Sequence, residues 1–575
     1  MAPVDIDRDF LYPLLSLISA ASLLYLAYLW ALPKPIPGIP YDKSAKNSLL
    51  GNFSDIQAYV RETKRFRPWL TTHIRRHNSP LTQVWLGPFT KPALVLTDFQ
   101  ESYDILIRRH KEFDKALSNL AAFSSIVKDA QISMFGSDHR YKGNKELARD
   151  VMTPGFLHEV SAPEIYKKTQ TLIALWTLKT QLANGRPFFA KNDLSDMVMD
   201  IVSAAAFGLD ESMSTTNDQL VALNAHSEEF SANADGPVDF PRVPHKPEMT
   251  ALLDLTDHVG AQFKNPFPEL VHYFRLLTHP TLSASYALKD RWIHDEIEKA
   301  LPRLQRGESE TRSAMDQFLQ REIQIAAKEN RKPNFHSGRI YDELVQYFIA
   351  GHDTTTTAIS WLVKNIADHP DSQEKLRAAL RTAYATAYEE GRQPTVEEIC
   401  RTTIPYHDAV IEECLRYNSP VAVVARQTTV NTTLLGYEIP KGTMLIIIWD
   451  GPDFTEPPMP LADGVRSETS KRVRERWNPD DIRLFKPERW LKVDEKGNEY
   501  FDSQAGPMLA FALGPRACFG RRLAYLKMRI ILTLLVWNFK FHKLPEELSS
   551  REAHEEITTP PVQCYVSLSK ADPRL

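Results

Sequence analysis

The chain has 575 residues, 43% of them hydrophobic and 25% charged, a usage that belongs to folded protein and excludes global disorder. Its 69 Lys and Arg against 73 Asp and Glu leave a formal charge of −4, without the basic excess of a general nucleic-acid binder. Pro outnumbers Gly, 39 to 22, which points to stiff connections, and four cysteines (Cys400, Cys414, Cys518, Cys564) cannot staple a chain of this length.

Residues 10–32 form an uncharged run, FLYPLLSLISAASLLYLAYLWAL. At about 1.5 Å per residue it can cross a hydrocarbon core of about 30 Å. Acidic residues precede it (Asp5, Asp7, Asp9) and Lys34, Lys43 and Lys46 follow, so the flanks predict an uncleaved anchor with the body in the cytosol. Pro33, Pro35, Pro37 and Pro40 then define a stiff extended spacer over residues 33–41. The remaining residues, 42–575, are expected to form one catalytic body.

Within the body, alternating residues at 81–85 and 93–96 predict a hairpin, and helical periodicity dominates from there to Arg416. Thr395 to Glu398 reads TVEE, a capping box. Strand signals return at 434–439 and 444–449, separated by Pro440, Lys441 and Gly442. Residues 461–476, with Arg466, Lys471, Arg472, Arg474 and Arg476, read as a solvated surface insertion. The fold class is therefore mainly α with a smaller β region. No phosphate-binding glycine loop occurs, so a built-in flavin or nucleotide domain is not expected.

The decisive segment is FALGPRACFG, residues 511–520. Cys518 lies just ahead of an apolar helix, where N–H groups and the dipole favour a thiolate. Arg516 supplies a permanent charge suited to a carboxylate. Gly514 and Gly520 let the backbone approach something large and flat. Together with Phe511 these positions spell F-x-x-G-x-R-x-C-x-G. The other three cysteines read as inert thiols.

On these ten residues the chain resembles the cytochrome P450 superfamily, and among its members looks most like the membrane-anchored, fungal microsomal type. The resemblance implies haem b (iron protoporphyrin IX) with Cys518 as the metal ligand and Arg516, Phe511, Gly514 and Gly520 around it. It also implies a relay helix. Residues 344–367 carry an apolar stripe interrupted by AGHDTTTT at 350–357, a costly choice mid-helix. Ala350 and Gly351 would leave room for dioxygen, and Asp353 and Thr354 would carry protons as the catalytic pair. Glu413 and Arg416, with Arg489 of FKPERW, would form a structural triad.

Arg426 occupies the family's position for a haem-propionate contact. Arg149 aligns with a second such arginine, but Lys145 stands where the family has Trp, and His139 is another candidate nearby. By position the substrate loops are 122–132, 207–239, 421–424 and 559–562, whose residues favour an apolar small molecule. The resemblance implies a monooxygenase of the endoplasmic reticulum membrane, with electrons from a separate NADPH–cytochrome P450 reductase and a basic docking side at Arg521, Arg522, Lys527 and Arg529. A hydroxylation in lipid, terpenoid or polyketide biosynthesis is expected. The alternatives are a thiolate-haem isomerase or dehydratase, and a non-catalytic haem-binding protein.

Overall fold

The computed structural model describes residues 8–227, 236–263, 265, 267–306, 311–473 and 476–572. Residues 228–235 of the expected 207–239 substrate loop, and 474–475 of the expected insertion, lie outside these. The first helix, Arg8–Ala31, includes a stretch at residues 12–31 with mean hydropathy 1.8 and no residue of it buried, long and apolar enough to cross a membrane.

The proline segment after it is docked on the body instead of standing free as a spacer. Ile36 and Ile39 are buried, and the side chain of Gln83 accepts from Ile36 N at 2.8 Å and donates to the carbonyls of Ile36 and Ile39 at 2.9 and 2.7 Å. Gln83 itself sits in the first strand, so one buried amide satisfies a segment that its prolines keep out of any ladder.

That strand, Leu81–Val84, opens a five-stranded sheet. It pairs antiparallel with Ala93–Leu96, as the alternation predicts; next come Met444–Ile448, Val423–Thr428 and Phe113–Lys115. Ala93–Leu96 and Met444–Ile448 run parallel, which joins an early and a late segment of the body in one sheet. The expected strand at 434–439 is instead a tight hairpin, Thr432–Leu434 against Tyr437–Ile439. Leu435 and Gly436 both take positive φ, 48° and 81°, and make its turn.

Three further two-stranded pairs aside, helices form most of the described body. The longest, Gly338–Asp368, contains the predicted stripe with Leu344, Val345, Phe348, Ile359, Leu362 and Ile366 buried. It packs against Lys191–Phe207, Pro405–Tyr417 and Arg521–Asn538. Each large apolar side chain so buried is worth about 1.5–3 kcal/mol, which is how this helix tolerates a glycine and four consecutive threonines at its centre. Helix Pro268–Thr278 differs, since none of its residues is buried and Leu270, Tyr273, Phe274 and Leu277 are all exposed. The capping box forms as expected, with Thr395 and Glu398 each bonding the other's backbone N–H.

The segment at 461–476 corrects its sequence reading as a solvated stretch. Arg466 is buried and clasps Asp98, one nitrogen 2.7 Å from Oδ1, with Glu101 3.7 Å away. Ser467 and Thr469 hydroxyls donate to Asp104 at 3.2 and 3.0 Å, and Gln100 donates to the carbonyl of Val473. These partners belong to helix Phe99–Ile107, whose acids Asp98, Glu101 and Asp104 are themselves buried and need countercharge or donors. Lys471, by contrast, meets only the exposed Glu468. Replacing Arg466 with Ala leaves two buried carboxylates without their cation and should cost about 3–5 kcal/mol. Lys471→Ala should leave stability unchanged in the same denaturant titration.

Candidate active site

Residues 511–520 form a tight loop. Cys518 N donates to Phe511 O at 2.8 Å, and Ala512 is held at φ +52° with its N–H on Leu509 O. Gly514 has φ +74°, and a Cβ there would lie 1.9 Å from the carbonyl oxygen of Leu106. Its requirement therefore comes from helix Phe99–Ile107, which corrects the expectation that a flat ligand demands it. At Gly520 a Cβ would meet only Met152 Cε at 4.0 Å, so the protein leaves this side of the loop open.

Gly520 caps helix Arg521–Asn538, and its N–H bonds the sulfur of Cys518. Burial pushes the Cys518 thiol up from its ordinary range; the Gly520 N–H, Arg521 and Lys527 oppose that shift. Protein surrounds Cys518 on most sides, yet its surface is solvent-accessible, as expected of a side chain on an interior hollow. Ala350 is likewise exposed, between the buried Ile349 and His352.

The turn of Gly338–Asp368 that holds Ala350 presents each of its next residues to a different neighbour. Thr354 shares the Ala350 face, and its hydroxyl donates to Ala350 O at 2.7 Å. Gly351 and Thr355 face Lys527, whose ammonium donates to Gly351 O at 2.8 Å and Thr355 Oγ1 at 3.2 Å. His352 meets Ser195 Oγ at 3.1 Å, and burial depresses it to about 4, which keeps it neutral. Asp353 bonds the hydroxyl of Thr558, which also lies 2.7 Å from Thr357 Oγ1. Burial raises the Asp353 carboxyl to about 6. Asp353 also lines a cavity of about 480 Å³ with Asp257, Arg275 and Glu556.

A second group of charges converges at the sheet edge. Lys115 and Arg426 are directly opposed across strands Phe113–Lys115 and Val423–Thr428. Like charges in that register destabilise a sheet. Burial depresses the Lys115 ammonium well below its usual range, and Arg516 and Arg426 depress it further; burial together with Arg516 lowers Arg426 to about 10. Arg516 lies 4.0 Å over the Tyr141 ring and gives one nitrogen to Met134 O at 3.0 Å; its other terminal nitrogen is buried without a partner. Only Asp114 offsets these cations.

The structure does not bring Arg149 to this group. Its side chain is 57% exposed and pairs with Glu146 and Asp150 at the surface, while Lys145 and His139 are also exposed. The turn Arg149–Met152 follows a helix that ends at Leu147, which turns Arg149 outward. Lys115 supplies the third cation instead. Nothing in the local sequence FDK marks it, because its meaning comes from a strand partner more than 300 residues away.

Glu413, Arg416 and Arg489 do meet. Arg416 makes two 2.8 Å bonds to the carboxylate, Arg489 Nε reaches it at 3.1 Å, and Trp490 Nε1 and Lys486 N complete its shell at 3.0 and 2.8 Å. The basic docking side needs correction: Arg521 and Arg522 are exposed, Arg529 pairs with Asp408 at 2.7 Å, and Lys527 is fully buried. Helical spacing alone could not separate Lys527 from its neighbours, since its polar end is satisfied by another helix. Cys414 and Cys564 are buried with thiols pushed up to about 12, and burial also raises Cys400, as inert cysteines require.

These residues fit a haem. The Cys518 sulfur offers a soft ligand of the kind that suits iron. The three cations Lys115, Arg426 and Arg516, one with an orphaned buried nitrogen, suit two propionates. The open side of Gly520 suits the approach of a flat macrocycle.

Comparison with known proteins follows the same line. The cytochrome P450 family model matches residues 58–451 and 478–568, omitting the stretch that contains the Arg466 segment. The chain is 35% identical to a cytochrome P450 monooxygenase, TRI13, of Fusarium sporotrichioides, over 97% of this chain and 99% of that one. It is 34% identical to the cytochrome P450 monooxygenase GME11363 of Pestalotiopsis microspora, over 96% of each. A crystal structure of a cytochrome P450 (CYP102L1) superimposes with TM-score 0.67 at 18% identity, covering 94% of this chain and all of that one.

Removing one cation from the sheet edge should weaken haem retention without disturbing the fold. Lys115→Met is expected to shed haem to apomyoglobin about tenfold faster, the order of one charge-assisted hydrogen bond. Arg149→Met is expected to leave the transfer rate unchanged.

Proposed function

The chain belongs to the cytochrome P450 family, and from that premise we propose that it hydroxylates an apolar small molecule, using haem b and electrons from NADPH through a separate reductase. The observation that carries this reading is the accessible Cys518 sulfur just ahead of helix Arg521–Asn538, in the same loop as Arg516, one of whose terminal nitrogens is buried without a partner. A thiolate-ligated haem supplies dioxygen binding and O–O cleavage. The protein's part is to hold, exclude and deliver. Ala350 gives the least bulky side chain on the exposed face of the relay turn, and Thr354 presents its hydroxyl on that same face.

Asp353 loads protons from the other side. Its carboxyl, near 6, sits between the Thr558 hydroxyl and a cavity that also holds Asp257 and Glu556. A group with that value changes protonation readily near neutrality, as a relay needs. Phe123, Ile132 and Ile557 supply apolar surface from and beside the expected substrate loops. This favours a lipid, terpenoid or polyketide substrate.

Helix Arg8–Ala31 supports a single-pass anchor in the endoplasmic reticulum membrane with the body in the cytosol. The exposed apolar face of Pro268–Thr278 suits the same bilayer. Arg521 and Arg522 remain the exposed basic residues next to the ligand loop where a reductase would dock.

The reading is tested by the carbon monoxide difference spectrum of the reduced protein beside Cys518→His. A strongly red-shifted Soret band in the wild type, absent from the variant, is expected; a haem-loaded wild type without that band would sink the proposal. Thr354→Ala should keep consuming NADPH while its two electrons leave on dioxygen as hydrogen peroxide, with coupling lowered about a hundredfold, the scale of one proton-transfer group. Because the folded Asp353 carboxyl is raised to about 6, the residue's cost is full above pH 6, shrinks as pH falls through 6 and is gone only below the unfolded value of about 3.9. Asp353→Asn should accordingly gain most stability at pH 8, about half as much at pH 5 and almost none near pH 3, as read by denaturant titration.

A further inference from the structure

Lys527 lies on the inner face of the helix that follows the ligand loop, 1% exposed, with its ammonium between two motifs. It donates to the carbonyl of Gly351 at 2.8 Å and to Thr355 Oγ1 at 3.2 Å. Both acceptors belong to the relay turn, one on each side of Asp353 and Thr354. A Cβ at Gly351 would crowd Val202 Cγ2 at 3.3 Å and would lie in ordinary contact with the Lys527 nitrogen at 3.5 Å, so the glycine serves close packing against helix Lys191–Phe207 beside the ammonium. Among the described residues no carboxylate pairs with Lys527; burial lowers its ammonium to about 7, and Cys518 opposes that shift.

An ammonium taken out of water is expensive unless donors and charge are both satisfied. Here a carbonyl and a hydroxyl accept hydrogen bonds from it, and a Cys518 thiolate, once formed on the ligand loop, would favour its charge. An unbranched apolar side chain could fill the same channel without that cost, so the polar end has consequences beyond packing.

We propose that Lys527 is a positioning residue of the monooxygenase: it clamps the relay turn to the helix carrying the thiolate loop and tempers the electron donation of Cys518. This rests on the thiolate-haem reading above. The clamp fixes where Thr354 stands relative to the ligand loop, since the two Lys527 bonds join the relay turn to the helix that follows that loop. The cation stabilises negative charge at Cys518 and so favours the reduced centre, whose net charge is one unit more negative.

The test uses full-length holoenzyme with its reductase, carbon monoxide as the spectroscopic probe, and no added substrate. Lys527→Met is expected to keep the red-shifted band, because Cys518 still ligates. Its ferric–ferrous potential should move to more negative values, and the share of NADPH electrons released as peroxide should rise about threefold, as for loss of a hydrogen bond of roughly 0.7 kcal/mol. A wild-type potential together with a wild-type peroxide share overturns the inference while leaving the monooxygenase reading intact. A wild type lacking the red-shifted band overturns both. Thr355→Val, which keeps shape and removes one acceptor, serves where Lys527→Met does not fold: an increased peroxide share supports the clamp, and an unchanged share overturns it.

Discussion

Five donors converge on the two oxygens of Glu413: two from Arg416, one each from Arg489 and Trp490, and the backbone N–H of Lys486. The carboxylate is wholly buried, and such a charge is tolerable only when every lone pair is occupied. Around it the remaining guanidinium nitrogens are spent on chain that has no ladder of its own. Arg416 binds the carbonyls of Phe454, Ile482 and Leu484, and Arg489 binds Asp481. The irregular course that leads to the thiolate loop is thus fastened to helix Pro405–Tyr417, and Trp477 then fixes it at Pro507 O, four residues before Phe511. The position of Cys518 depends on this knot.

The same logic of interior charge recurs with different compensation. Arg466 and the acids of helix Phe99–Ile107 neutralise one another inside the protein. Lys527 is answered by a carbonyl and a hydroxyl, and a Cys518 thiolate would favour its charge. Lys115, Arg426 and Arg516 have only Asp114, and this local surplus of positive charge is what a dianionic ligand would balance. Where charge is balanced by protein the role is structural; where it is left over, it points to a ligand.

Much of the site is legible because its residues are close in sequence. Phe511 to Gly520 and Ala350 to Thr357 each lie within a few turns of chain, and local geometry dictates what they can do. Glu413 and Arg416 are visible for the same reason, three residues apart on one helical face. Arg149, Lys527 and the stretch at 461–476 read wrongly for the opposite reason: each is a charged residue or segment whose burial depends on another element. Exposure sends Arg149 to Glu146 and Asp150, whereas the carbonyl of Gly351 draws Lys527 inward and Asp98 draws Arg466.

Taken alone, the sequence determined the motif at residues 511–520, the long apolar-striped helix around 350–357, the two-part hydrophobic pattern of an apolar N-terminal helix before a mainly helical body, and the family. Those are properties of spacing and composition, and they survive without knowing what packs on what. Only the tertiary structure decided that Lys115 rather than Arg149 joins Arg426, that Gly514 answers to Leu106, that the proline segment is clamped by Gln83, and that Lys527 faces inward. The physical reason is that the cost of burying a charge or a bare carbonyl is set by its partners. Apart from those of Arg149, which lie on its own turn, the partners are from 44 to several hundred residues away along the chain.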